Sequence, residues 1–436
     1  MHPTWYERAR QSAGHAFLRW CLIALPVGLL AGGVGALFGV CLSWVEQCRN
    51  AVPWLLYLLP VGGLLIAWLY RRFGKEAERG TNLILSAVRS REAIPPATAP
   101  LIFLSTCITH LLGGSAGREG AALQLGGSMA YLLSKPLRLD ETDRHVLVMS
   151  GMGAAFSALF GTPVAAAVFA LEVTTVGTMH YAAIVPCTLA SLIGALLARL
   201  CGLTPTQFSV AMPAATPLLL GQALLLAIFA ACISIVFVFV LHGSGSLFRR
   251  YFPNVYVRAM VGGAAVILLT LIAGTRDYNG AGGTIIAAAM TGQAHWYDAP
   301  CKLLFTAVTL GSGFRGGEIV PTFFVGATAG CVLGGLLGID PACAAALGLI
   351  AVFCGVTNCP IASLLLGVEL FGGEGLPLYL LVCAVSYMLS GYGGLYVAQR
   401  FLFSKTRDEY RHTAEDEGET PTDAPAADSP AKPEEA

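Results

Sequence analysis

Apolar residues fill this chain in long runs, near 21–44, 51–70, 97–112, 146–171, 181–200, 216–242, 257–274, 321–337, 341–356 and 374–390. Each run predicts an apolar helix. Several fall short of the roughly 20 residues that a perpendicular membrane helix needs. Gly and Pro interrupt them, which predicts half-helices or re-entrant segments. Such backbone survives at membrane depth only where it lines a protein or water cavity.

Composition places the chain in one class. Its 436 residues are 56% hydrophobic and 12% charged, with mean hydropathy +0.69, whereas a soluble domain carries about 25% charged residues. The expectation is an all-α polytopic membrane protein embedded in a lipid bilayer. The 51 glycines fit close helix–helix packing. Thirteen cysteines lie scattered without a CxxC pair and read as small buried hydrophobes. The eight histidines show no ligand spacing, and no HExxH run supports a zinc protease. No metal or cofactor is expected, and no nucleic-acid partner.

Charge is uneven along the chain. Residues 413–436 hold eight acids and one lysine, a net of −7, so the balanced whole leaves +7 for the rest. That Pro- and Ala-rich stretch cannot bury a core and predicts a disordered acidic tail over 406–436. Residues 1–20, with Arg8, Arg10 and Arg19, predict a basic amphipathic helix. The positive-inside tendency puts this end in the cytoplasm, and no small-residue cleavage site marks a signal peptide. Arg71, Arg72, Lys75 and Arg79 form a second basic loop.

The chain contains itself twice. At an offset of 197, Gly114-Ser115 aligns with Gly311-Ser312, Arg118 with Arg315, Ala154 with Ala351, Phe156 with Phe353, Pro163 with Pro360 and Glu172 with Glu369. Two transmembrane repeats, 21–205 and 206–405, follow. The spans alone leave parallel and inverted orientation open; inverted halves are the expectation adopted. Transporter repeats place the substrate at their interface, where broken helices aim N-termini at anions. Glu172 and Glu369 recur at helix ends and read as structural or interfacial residues.

Three glycine-punctuated segments carry the candidate chemistry: Glu78-Arg79-Gly80-Thr81-Asn82, Gly117-Arg118-Glu119-Gly120, and Gly316-Gly317-Glu318-Ile319-Val320-Pro321. A carboxylate at bilayer depth defaults to a functional role. Glycine lets backbone approach a ligand, and N–H groups at a helix start attract anions. Glu119 thus offers a titratable gate beside an anion cradle. The alternatives are an ion pair with Arg118, a helix-end role for Glu318, an interfacial role for Tyr396 and an N-cap role for Asn82. Gly113-Gly114-Ser115-Ala116-Gly117 formally fits GxSxG. A hydrolase elbow needs a preceding strand and a triad, and no strand pattern is present, so enzyme activity is not expected.

Taken in order with Tyr396, these segments resemble the CLC family of chloride channels and anion/proton antiporters, over nearly the whole chain except its ends. The resemblance implies a homodimer in the cell membrane, expected as a bacterial inner membrane with cytoplasmic termini. Glu119 then matches the gating glutamate and proton carrier. Gly80, Thr81, Asn82, Gly117, Ile319, Val320 and Tyr396 match the anion-binding positions, and Glu318 becomes a gate partner. Asn82 after a glycine, and Glu318 before the third loop, resemble the fluoride/proton antiporter branch. Val320 and Ala121 stand where that branch often has Thr. Val173 replaces the inner proton glutamate of chloride-type antiporters. The reading is a fluoride/proton antiporter, with fluoride and protons as substrates. A chloride/proton antiporter and a passive CLC-type channel are the alternatives.

Overall fold

The computed structural model describes residues 5–74, 79–90, 92–407 and 409–411, with side chains from Gly14 onward. Most of the predicted acidic tail lies outside the described residues, as do Lys75, Glu78 and the side chains of Arg8 and Arg10. The first half holds α1 (Trp5–Ala51), α2 (Leu59–Phe73), α3 (Thr81–Arg89), α4 (Thr98–Leu111), α5 (Glu119–Ser134), α6 (Glu141–Phe160), α7 (Pro163–Glu172) and α8 (Ile184–Leu200). The second holds α9 (Pro217–Tyr251), α10 (Val255–Ala273), α11 (Gly283–Ala289), α12 (Asp298–Gly311), α13 (Ile319–Leu337), α14 (Pro341–Thr357), α15 (Pro360–Phe371) and α16 (Leu376–Leu389). Helix α1 is continuous, so the N-terminal segment and the first apolar run form one element.

Among the described residues, six helical segments are long and apolar enough to cross a membrane. The apolar run 146–171 is instead broken in two. Gly161 ends α6 in the left-handed region at φ 72°, and Pro163 opens α7. Asn358 at φ 57° and Pro360 make the same break between α14 and α15. Asn is one of the few residues that tolerates this backbone, and Pro suits a first helical turn. Helices α7 and α15 have 10 and 12 residues, at about 1.5 Å per residue too short to span about 30 Å of hydrocarbon. These are the predicted half-helices.

The halves are inverted. Glu172, ending α7, accepts from Ile361 N at 3.2 Å and Ala362 N at 2.8 Å in the first turn of α15. Glu369, near the end of α15, accepts from Val164 N at 3.0 Å and Ala165 N at 2.8 Å in the first turn of α7. Each half-helix caps the start of the other, so the two run antiparallel. A two-fold axis along the helices would have made them parallel. Both glutamates are therefore structural, each filling two of the four unpaired N–H groups at a helix start.

The structure corrects the single offset of 197. Asp140 and Asp340 cap α6 and α14, accepting from Asp143 N and Cys343 N, which is an offset of 200. Gly117 and Gly317, which pair directly, also differ by 200. Helix α6 has 20 residues and α14 has 17. That difference, close to one turn, resets the offset to 197 for Gly161 and Asn358 and for both prolines and glutamates. Arg118 is therefore the counterpart of Glu318, not Arg315, and Gly114-Ser115 is not the counterpart of Gly311-Ser312.

Small residues set the packing near the centre. A Cβ on Gly126 of α5 would lie 2.0 Å from Gly151 O of α6, and one on Gly326 of α13 would lie 2.6 Å from Gly348 O of α14. Backbones in contact at such crossings hold helices together where lipid supplies no hydrophobic drive.

Beyond α16 the chain returns through the protein. Its strand β2 (Arg400–Phe401) pairs in parallel with β1 (Thr175–Val176), just after α7. Gln399 Nε2 donates to Val173 O at 3.1 Å and Thr357 O at 2.8 Å. This returning strap carries Tyr396 inward.

Candidate anion pathway

Two helix junctions meet at the pseudo-two-fold axis. The α4–α5 and α12–α13 connections each contain a glycine at positive φ, Gly113 at 83° and Gly313 at 105°. They touch through Gly117 and Gly317, which exchange two N–H···O bonds of 2.7 Å. A Cβ on Gly317 would sit 2.6 Å from Gly120 N and 3.0 Å from Glu119 N. A Cβ on Gly117 would sit 2.8 Å from Glu119 Oε2. Only glycine allows both approaches. The N-termini of α5 and α13 thus converge, and their positive dipole ends favour an anion there.

Glu119 is the first residue of α5 and is fully buried. Its Oε2 accepts from Arg118 N at 2.9 Å, and Arg118 Nε lies 3.4 Å from Oε1. The carboxylate is folded back onto its own helix start. Gly120, one residue on, presents its Cα to Glu318, whose Oε2 lies 3.1 Å from where a Cβ would be. Both carboxylates are close enough to Tyr396 to act electrostatically on its hydroxyl.

The start of α3 closes this group. Gly80 precedes the helix at φ 60° and ψ −136°. Thr81 Oγ1 donates to Gly120 O at 3.3 Å and accepts from Gln124 Nε2 at 3.1 Å. Asn82 Oδ1 accepts from Ala398 N at 2.9 Å, which leaves the amide NH2 as its donor. A cavity of about 130 Å³ is lined by Gly80, Thr81, Asn82, Gln124, Glu318 and Tyr396, together with Arg79 and Arg315. Tyr396 Oη, Gln124 Oε1 and Glu318 Oε2 are buried there without a hydrogen-bond partner among the described residues. Leaving such atoms unpaired costs about 1–3 kcal/mol each, a penalty typical of a binding site rather than a core.

Of the predicted positions, Gly80, Thr81, Asn82, Glu318 and Tyr396 therefore come together. Gly117 forms the bridge to Gly317. Ile319 is fully buried and borders none of these cavities. Val320 lines a separate cavity of about 150 Å³ with Arg118, Glu46, Thr206 and Phe323. Glu318 lines one cavity and Val320 the other; Glu119 sits beside Arg118, which lines the Val320 cavity, and acts electrostatically on Tyr396, which lines the Asn82 cavity. On the Asn82 side, a wide cavity of about 900 Å³ is lined by Arg79, Arg89, Arg400 and Arg411, with Glu92 as its acid. Clustered cations in a concave site raise the local anion concentration.

Sequence reasoning missed Gln124 and Lys302. Gln124 is the one amide in the run Ala121-Ala122-Leu123-Gln124-Leu125-Gly126, and a lone buried amide was the available signal. Lys302 is fully buried. Its Nζ donates to Tyr278 O at 3.1 Å and Gly280 O at 2.7 Å, pinning the loop whose Ala281 and Gly283 line the Val320 cavity.

Comparison with known proteins bears on this geometry. The sequence profile of the voltage gated chloride channel family matches residues 62–391. The chain belongs to the CLC family. A "Chloride/fluoride channel protein" of Pseudomonas syringae pv. tomato is 35% identical over 396 residues, covering 89% of this chain and 87% of that one. A crystal structure of a CLC-type fluoride/proton antiporter superposes with a TM-score of 0.85 at 33% identity, covering 92% of this chain and all of the other. A slow cyanobacterial chloride/proton antiporter shares the CLC fold at a TM-score of 0.75 and 19% identity, covering 87% and 96%. In this CLC chain, Val173 is fully buried and its carbonyl accepts from Gln399.

Proposed function

We propose that this CLC protein exports fluoride in exchange for protons, with Glu119 as gate and proton carrier. The observation that carries the reading is the seat of Glu119: a buried carboxylate next to residues that line two separate cavities, held by one backbone N–H and one guanidinium. Charged, it blocks the junction. Protonated, it loses the attraction to Arg118 and can swing away, carrying its proton across the junction as an anion passes the other way. The similarity to a fluoride/proton antiporter at 33% identity and to the chloride/fluoride relative supports fluoride as the anion.

The lining fits that anion. Fluoride is small and strongly hydrated, so donors must replace its water. The Asn82 amide, the Tyr396 hydroxyl and the N–H groups at the start of α5 supply donors on the Asn82 side. Thr81 holds the loop instead, because its hydroxyl hydrogen is committed to Gly120 O. Ile319 and Val320 bound the route on the other side, and Glu318 modulates the gate from within the Asn82 cavity. A homodimer with one pathway per subunit, in a bacterial inner membrane with cytoplasmic termini, completes the proposal, as does the division of the chain at residue 205.

Purified protein in liposomes tests it. Fluoride efflux should exceed chloride efflux by at least about tenfold, roughly 1.4 kcal/mol of barrier, and an imposed fluoride gradient should drive protons uphill. Equal or faster chloride efflux would instead establish the chloride/proton antiporter. Selective fluoride flux without proton movement would establish a passive channel.

A further inference from the structure

One peptide unit at the gate is bonded on both of its faces. The carbonyl of Gly117 accepts from Gly317 N at 2.7 Å and lies 3.2 Å from His110 Nε2. The N–H of that same peptide belongs to Arg118 and donates to Glu119 Oε2 at 2.9 Å. A carbonyl oxygen only accepts, so Nε2 of His110 carries the hydrogen. Imidazole, peptide and carboxylate form a chain in which each donor polarises the next bond.

His110 lies in the last turn of α4 and is fully buried; its Nδ1 has no partner among the described residues. Glu46 and Arg49 of α1 and Arg118 of the gate loop are the charged groups that act on it. Glu119 is itself faced by Arg118 and Tyr396, with Glu318 across Gly120.

The second half of the molecule supplies the control. In the 200-residue register the counterpart of His110 is Leu310, and that of Glu119 is Ile319. Gly317 makes the same paired bonds as Gly117 without an imidazole behind it. The bridge between the halves therefore does not need a histidine. Only the half that carries the carboxylate has one.

We propose that His110 is a positioning residue for the gate: by donating to the Gly117 carbonyl it strengthens the Arg118 N–H bond to Glu119 and keeps the charged carboxylate in its seat. The inference rests on the reading of Glu119 as gate. Without the donor, the charged form is held less firmly, and protonation and release occur at higher pH.

The test is the pH profile of proton-coupled fluoride efflux in liposomes, for wild type, His110→Leu, His110→Gln and Glu119→Gln. His110→Leu installs the residue of the other half. His110→Gln can place an N–H near the position of Nε2 but does not titrate. The expected result is a His110→Leu midpoint about half a pH unit higher, the scale of one modest hydrogen bond, with increased uncoupled leak, and a His110→Gln profile on that of wild type. A wild-type midpoint in His110→Leu, or a His110→Gln profile as displaced as that of His110→Leu, overturns the proposal. If His110→Leu does not give folded protein by size exclusion, His110→Asn, too short to reach the carbonyl, takes its place with the same two outcomes. Glu119→Gln separates the two levels. Retained coupling in that variant removes the gate reading itself, whereas lost coupling with an unmoved His110→Leu midpoint removes only the role of His110.

Discussion

The α4–α5 and α12–α13 junctions have matching backbones but different side chains. Both turn at a left-handed glycine, both reach the axis through a glycine, and these exchange equivalent bonds. Yet Arg118 faces Glu318 in the comparison, Glu119 faces Ile319, and Gly120 faces Val320. The two acids are one position out of step. Glu119 opens α5 as its first helical residue and is fully buried; Glu318 stands one place earlier, as the N-cap residue of α13, and reaches the Asn82 cavity. A one-residue displacement on a shared scaffold thus separates the fully buried carboxylate proposed as the gate from one that lines the Asn82 cavity. The difference teaches that matching backbones supply the convergent helix starts, while asymmetry at three positions supplies the side chains on which the proposed transport chemistry rests.

The comparison breaks most completely if the blocking acid is neutralised. Glu119→Gln keeps size and hydrogen bonding but cannot change charge, so proton movement should be lost, with anion flux reduced or uncoupled. Uphill proton transport at the wild-type ratio in this variant would show that the two junctions do not differ as described.

The lining acid comes next. Glu318→Ala should lower coupled exchange by more than about tenfold, above about 1.4 kcal/mol of barrier, with the solubilised protein still folded. Glu318→Gln, which keeps a donor and an acceptor, should lose less. Near-wild-type exchange in the alanine variant would reduce Glu318 to a helix-end residue.

Glycine substitutions sharpen the point by separating a tight contact from looser ones. Gly317→Ala drives a methyl group against Gly120 N at 2.6 Å, so the junction must open. Gly120→Ala meets a Glu318 oxygen at 3.1 Å and the Gly317 Cα at 3.2 Å, looser contacts than the 2.6 Å one. Exchange rates should fall further in the first, by roughly tenfold, the effect expected of a misplaced pathway. The reverse order would mean that the carboxylate position matters more than the bridge.

The smallest effects concern the reciprocal caps. Glu172→Ala and Glu369→Ala each remove two charge-assisted bonds, for about 1–3 kcal/mol of stability. Glu172 is the more buried of the pair. Its variant should show the greater fall in Tm in detergent, with coupling ratios unchanged in both.

Much of this was legible beforehand. The break at Gly161-Thr162-Pro163 and its echo at Asn358-Cys359-Pro360 announced the half-helices, because turn and proline chemistry is local. The order of Asn82, Glu119, Glu318 and Tyr396 marked residues that the fold brings close together. The register was not legible as one number, because α6 exceeds α14 by three residues and no single shift aligns the material on both sides. Nor did the sequence disclose that Gly117 pairs with Gly317, since glycines are frequent and partners 200 positions apart leave no periodic trace. His110 and Gln124 escaped for a related reason. Each is a lone polar residue in an apolar helix, and its meaning comes from what another helix brings against it.

The returning strap sets a sequence of events in biosynthesis. Tyr396 and the Ala398 backbone that anchors Asn82 lie beyond α16, so the polypeptide must be made past α16 before the cavity has all its walls. A nascent chain paused between Gly317 and Tyr396 has both paired glycines but no phenol donor and no tether on Asn82. A half-synthesised molecule therefore holds an open cavity, and its walls close only when residues 396–398 are in place.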